Sequence, residues 1–364
     1  MLIALLLPLS GPAPFVSSEL EEPVPRFSIT TVAGTGRRGN TLEDGPAIEA
    51  LIERPTAVAL DSEGNLYIAD EQNGLVRMVY PDGTMTIVAG TGSSDPQQED
   101  QAAVLTNLSS AYGVATDGDD NLYILSRGHG KIFRVGEDRI ARRIAGSGRS
   151  GFGGDGGPAL EATLNFPNHL AADTRGNLFV ADTGNNRVRK ISPEGIISTV
   201  VGTGESGFSG DGGPALAARL SVPSAIAIDG AGSLYIADFR NHRIRKVTGD
   251  GIITSIAGTG SPRYDGDGRS ATECAIGEPC GVAVDSAGYV YIGDQVNNRV
   301  RVVTPSGVLH TVAGTGVRGN TGDGGPAELA QISNPDIIAL DRRGNLLLPD
   351  HLNCVVRKLT RIAD

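Results

Sequence analysis

The sequence predicts an all-β, six-bladed β-propeller made of four-stranded antiparallel blades. Three observations predict it. First, Ala33-Gly34-Thr35-Gly36 returns at Ala89–Gly92, Ala145–Gly148, Val201–Gly204, Ala257–Gly260 and Ala313–Gly316, each 56 residues after the last. A constant stride of this length marks one supersecondary unit, copied and stacked. Second, six such strides account for the chain from Ile29 to Asp364. Third, each stride holds four short apolar runs separated by Gly, Pro, Asp and Asn, the pattern of a hairpin meander. Four-stranded sheets repeated radially are propeller blades.

Met1–Arg26 reads as leader and linker. Leu2–Leu7 is apolar, and Gly11-Pro12-Ala13 supplies small residues, as in the core and cleavage region of an export signal. The run is too short to span a bilayer. Glu19, Glu21, Glu22, Pro23 and Pro25 favour an extended, solvated segment. The propeller is expected over residues 27–364.

Its first element is an outer strand, Phe27–Ala33. Period one then carries Thr56–Asp61, the turn Ser62–Asn65, Leu66–Asp70, a short polar loop, Leu75–Val79, the turn Pro81–Gly83 and Thr84–Ala89. The first run is apolar on both sides, as for a strand buried on either face, and the fourth alternates, as for a half-solvated outer strand. The chain ends with three runs, Asp336–Asp341, Gly344–Leu348 and Val355–Leu359. These three and Phe27–Ala33 are expected to form one blade, so that no terminal edge is left bare. About twenty residues connect consecutive blades. In Gly148–Pro167, Pro158 suits a first helical position and Ala159, Ala162 and Leu164 make one short apolar face. A glycine-rich turn and one or two turns of helix are expected there.

Net charge is −11 and the pI about 5.0. An acidic chain without a basic run lacks the footprint of nucleic-acid binding and is a poor partner for anionic lipid. Nothing beyond the leader looks transmembrane, and a monomer is expected. Glycine is 51 of 364 residues, which suits many turns with positive φ. Of the three cysteines, Cys274 and Cys280 are near enough in sequence for a loop disulfide in an oxidising compartment. Cys354 reads as a small buried hydrophobe, and no pair has metal-site spacing.

The periods resemble NHL repeats. The matching residues in period four are Pro223–Asp229, Gly232–Asp238 and Asn241–Lys246, and the likeness extends over Phe27–Leu359. A Gly-Asp-Gly-Gly-Pro-Ala segment at Gly154–Ala159, Gly210–Ala215 and Gly322–Ala327 resembles a long-loop bacterial subtype. It is also similar to a segment in the propeller of teneurin-like cell-surface proteins. The resemblance implies a six-bladed propeller that usually serves as a binding platform. Relatives of this architecture include an amidating lyase, lactonases and RNA-binding modules, so fold alone does not choose among them.

Residues repeated in all six blades, or in five of them, are expected to be structural, since one catalytic site does not need several equal copies. This covers Asp61 and its five equivalents and Asp70, Asp182, Asp238, Asp294 and Asp350. It also covers the recurrent Asn73 and Arg77 positions. Strand-end carboxylates are well placed to accept turn N–H groups. The Gly-Asp-Gly loops, most of all Asp265–Gly268, suggest calcium. Each offers one or two carboxylates where calcium needs six to eight oxygens. No cofactor is expected, with Ca or Zn the weaker alternative.

The informative residues break the symmetry. First strands start at one mouth of the central channel. One ring there reads Thr56, Tyr112, Asn168, Ser224, Cys280 and Asp336; the next holds His169 as its only histidine. Asn168, His169 and Asp336 are therefore candidate ligand contacts. His169 and Asp336, expected across the channel from each other, are the candidates for proton transfer or metal-assisted chemistry. The connections between second and third strands add Arg127, Phe239, Arg240 and His351 on the same face. Aromatic residues and Arg are enriched at binding hot spots. Phe152, Phe208 and Tyr264 occupy equivalent loop positions and are expected to wedge the long loops. Two readings follow: a non-catalytic, extracytoplasmic (periplasmic or secreted) platform for a protein or glycan, and a metal-assisted lactonase- or lyase-type enzyme at the channel mouth.

Overall fold

The computed structural model of the chain describes residues 22–41, 44–93 and 99–362. Six antiparallel sheets follow one another along the chain. In blade one the strands are Pro55–Leu60, Leu66–Asp70, Leu75–Val79 and Thr84–Ala89, each paired with the next. Pro55–Leu60 packs on Ala111–Thr116 of blade two, and that strand on His169–Ala172 of blade three. The contacts continue through Pro223–Ile228 and Pro279–Val284 to Ala339–Leu340, which returns to Pro55–Leu60. The ring is closed, with the first strands at its centre.

The sixth blade is shared by the two ends of the chain. Phe27–Ala33 pairs antiparallel with Val355–Arg361, from Phe27 opposite Arg361 to Ala33 opposite Val356. Phe27 and Ile29 are wholly buried, and the Phe27 ring meets Tyr291 of blade five edge-on, with centroids 6.1 Å apart. Burial of each such side chain stabilises the closure by roughly 1.5–3 kcal/mol. Glu22–Arg26 continues beneath blade five: Tyr289 Oη donates to Pro23 O at 3.0 Å and Ser306 N to Glu22 Oε2 at 2.9 Å. The export-signal reading of Met1–Ser10 lies outside the described residues. No described helix is long and apolar enough to cross a membrane.

The repeated glycine has a steric cause. Gly34 has φ +90° and Gly90 φ +95°, a region open cheaply only to glycine. A Cβ at Gly34 would also collide with Cys354 O, and one at Gly90 with Gly74 O. The outer strand thus leaves its blade pressed against the start of the third strand.

Two local expectations are refined. The helical segment of each long loop is a single 3-10 turn, such as Ala159–Glu161, and Pro158 precedes it in an extended conformation at ψ 128°. Only Ala159 of that turn is buried, too small a face to hold a longer helix. Four blades also gain a two-residue fifth strand, such as Gly45–Pro46, on the outer strand. This covers part of an otherwise open edge. Cys274, Cys280 and Cys354 are all buried free thiols.

Candidate functional site

Strands alternate in direction, so the starts of first strands, the connections from second to third strands and the long loops share one face. The turns between first and second strands, and between third and fourth, share the other.

The repeated polar residues hold this architecture together. Asp61 accepts hydrogen bonds from Glu63 N, Asn65 N, Asn65 Nδ2 and Tyr67 Oη, which closes its turn. In blade four, Arg245 is fully buried and donates to Asp238, Asp211, Ser209 O and Arg219 O. Asn241 Nδ2 bridges Asp238 Oδ2 and Gly207 O. Arg and Asn thus tie the long loop to the blade core. Loop carboxylates Asp155, Asp211, Asp267 and Asp323 each face such an arginine. Those acids serve as loop anchors. Phe152 lies 3.7 Å from Arg187 and 4.9 Å from Arg189, and Phe208 and Tyr264 repeat the arrangement. They wedge the loops by cation–π stacking.

Blade two departs from this pattern in a matched way. Ser126 stands where the other blades have Asp, and the buried Phe133 where they have Arg. The Ser126 hydroxyl donates to Leu108 O. Losing both charges together avoids leaving one of them buried alone.

At the mouth, side chains of the first ring reach toward the next blade. Thr56 Oγ1 donates to Tyr112 O at 2.6 Å and Ser224 Oγ to Cys280 O at 3.1 Å. By the same rule Cys280 Sγ donates to Asp336 Oδ1 at 2.8 Å. The other Asp336 oxygen lies 3.5 Å from His351 Nδ1, which is also 3.3 Å from Pro55 O. Asp336 is 2% exposed, and burial pushes its carboxyl up, against the pull of His351. Burial also pushes the Cys280 thiol well up, so it is a hydrogen-bond donor and not a nucleophilic thiolate.

His169 has a separate role. Its Nδ1 accepts a hydrogen bond from Ile226 N at 3.1 Å, which places its proton on Nε2. Burial lowers its pKa to about 4, so the ring is neutral at pH 7. His169 and Asp336 belong to blades three and six, and each is committed to other partners. Among the described residues, no group of three His, Cys, Asp or Glu side chains is arranged to hold a metal ion.

Arg127 lies over the Tyr112 ring, 4.4 Å from its centroid, and 5.8 Å from that of Phe166. Burial, with the nearby Asp336 and Cys280, raises the Tyr112 phenol well above its ordinary value. Asn168 is buried with Oδ1 unpartnered among the described residues. Arg240, beside Phe239, pairs with Glu278 at 2.7 Å while its side chain stays 59% exposed. An exposed pair of this kind contributes little to stability.

The sequence reading missed a second set of mouth residues. Arg54, Phe166, Val222, Glu278 and Asn334 occupy the same register of the 56-residue repeat in every blade but the second, just ahead of the first strands, and all have φ between 43° and 59°. One left-handed backbone position thus displays five different side chains around the mouth. Their variety at one register was the available signal.

A family model described as the teneurin NHL domain matches residues 27–208 and 203–265. Teneurin-3 of Mus musculus is 27% identical over 383 residues, covering 92% of this chain; the chain spans 13% of that relative's length. An auxiliary nutrient binding protein from Bacteroides thetaiotaomicron shares the fold at TM-score 0.65 and 17% identity, over 93% of this chain and 77% of that one. A gluconolactonase from Xanthomonas campestris does so at 0.59 and 14%, over 94% and 96%. At that identity both likenesses speak to fold alone. With the family model covering well over half of its length, and a closed ring of six NHL blades, the chain belongs to the teneurin NHL family.

Proposed function

We propose that this propeller is a non-catalytic recognition platform, acting as an extracytoplasmic monomer and binding a protein or a glycan on the long-loop face. One observation carries the reading. The backbone repeats from blade to blade, whereas the side chains it presents at the mouth do not. Arg127, Phe166, Phe239, Arg240, Glu278 and His351 are all at least partly exposed there. A rigid scaffold with varied rim residues is a common way to build a binding surface. The likeness to teneurins, which are cell-surface proteins, supports the location.

The mouth gives little support to a metal-assisted lactonase- or lyase-type activity. Cys280 donates to Asp336, His169 is neutral and engaged with Ile226, and the two candidates sit on opposite blades. The test is a panel of immobilised glycans and extracellular domains probed with the full chain and with the Phe239→Ala/Arg240→Ala variant. The reading expects at least one ligand whose binding falls in the variant while thermal melting stays unchanged. A ligand bound equally by both proteins, or a blank panel, would count against it.

A further inference from the structure

We propose that Arg127, Tyr112 and Phe166 form a binding site for one acidic sugar unit, its carboxylate on the guanidinium and its ring against Phe166. The inference rests on the recognition reading above and narrows it to one class of ligand.

Three features of the molecule point there. The first is the guanidinium. Most mouth and loop arginines described above have a carboxylate or carbonyl partner, such as Arg240 with Glu278 or Arg189 with Asp155. For Arg127, aromatic contacts are recorded instead, and its Nε is buried without a hydrogen-bond partner among the described residues. Stacking on Tyr112 fixes the plane of the fork, which removes part of the ordering cost of a two-point carboxylate contact.

The second is Phe166. It is 57% exposed and sits at φ +43°, a conformation that costs a bulky residue of order 1–3 kcal/mol. An apolar ring displayed to water on a strained backbone earns nothing for the fold. A flat exposed ring beside a cation suits a pyranose, whose C–H face stacks on the aromatic while its carboxylate meets the guanidinium. Two residues further on, Asn168 is buried, and its amide oxygen has no hydrogen-bond partner among the described residues.

The third is the state of the nearby acids. Glu71 Oε1 accepts from Ser110 Oγ at 3.4 Å. Asp336 is also engaged, accepting from Cys280, and burial raises its pKa.

The experiment is calorimetric titration of the full chain with oligosaccharides ending in glucuronate, galacturonate or sialate. Neutral counterparts and a tetraglutamate peptide are the controls. At least one acidic sugar should bind, more weakly as salt rises. Arg127→Gln should weaken it roughly ten- to a hundredfold, as for loss of a charged hydrogen bond. Arg127→Lys should not restore it, because an ammonium lacks the planar fork. Phe166→Gly should weaken binding while melting at the same or a higher temperature, since glycine relieves the positive φ. Binding of none of the acidic sugars, unchanged affinity in Arg127→Gln, or a preference for tetraglutamate would each overturn the inference. A neutral glycan or a protein domain bound through Phe239 and Arg240 would leave the platform reading standing without it.

Discussion

Replacing Arg245 by Met removes the centre of a buried polar network without removing its bulk. Arg245 is 0% exposed, as is its partner Asp238, and the pair lies at 3.2 Å. The same guanidinium reaches Asp211 at 2.7 Å and the carbonyls of Ser209 and Arg219. In the variant, Asp238 keeps only the donors Ser221 N and Asn241 Nδ2, and the long loop loses its anchor. Breaking one side of a buried pair costs about 3–5 kcal/mol, chiefly because the other charge stays buried. Blade two supplies the control. The double change Asp238→Ser/Arg245→Phe copies the residues present at Ser126 and Phe133, and it leaves no buried charge. It should cost less than the sum of the two single changes by about 1–3 kcal/mol. The assay is equilibrium urea unfolding of the wild type, both single variants and the double. Proteolysis within 205–213 would report the loop, with faster cleavage expected in Arg245→Met. A cost below about 1 kcal/mol for Arg245→Met, or strict additivity in the cycle, would refute the view that this arginine locks loop to blade.

Further outcomes follow from the same structure. Burial lowers the folded pKa of His169 to about 4, below an unfolded value of about 6.5, so the unfolded chain binds more protons between those values. Its contribution is therefore lost as pH falls through that window. Asp238, Asp294 and Asp350, raised by burial to about 6, act in the opposite sense, so the comparison must be with a variant. His169→Asn, which keeps an acceptor for Ile226 N, should lose about 2 kcal/mol less than wild type between pH 7 and pH 5 in urea unfolding; parallel curves would contradict this. Deleting residues 27–34 should bare the edge of Val355–Arg361, lower the melting temperature and cause aggregation; an unchanged melt by calorimetry would count against ring closure. A Cβ at Gly281 would lie 2.5 Å from Asp336 O, so Gly281→Ala should destabilise by about 1–3 kcal/mol in the same urea assay, whereas Ala225, the equivalent residue of blade four, already tolerates its methyl.

The architecture was legible because the stride and the turn residues carry it. A fixed 56-residue repeat sets the number of blades, and an outer strand before the first full period sets the closure through Phe27–Ala33. Pro158 misled locally: it read as a helix start, but the loop buries only Ala159 and closes one 3-10 turn. The mouth was legible as a list of residues and not as a set of partners. Asp336 was expected to face His169, yet side chains of that ring reach the adjacent blade, so the partner of Asp336 is Cys280, 56 residues earlier. His351 joins it through a connection whose course depends on the left-handed residue Cys354 (φ 52°), which no local pattern marked. Arg127 was named for its residue type; its stacking between Tyr112 and Phe166 required the positive φ of Phe166.

The division between residues that build and residues that bind is tested most directly by two arginines of blade four, Arg245 and Arg240. For each substitution, Arg245→Met and Arg240→Ala, melting temperature and ligand affinity are measured on the same preparation. Arg245→Met should melt several degrees lower, and its folded fraction should bind as the wild type does; Arg240→Ala should melt unchanged and bind more weakly. Equal loss of affinity in both, or a fall in stability confined to Arg240→Ala, would contradict that division.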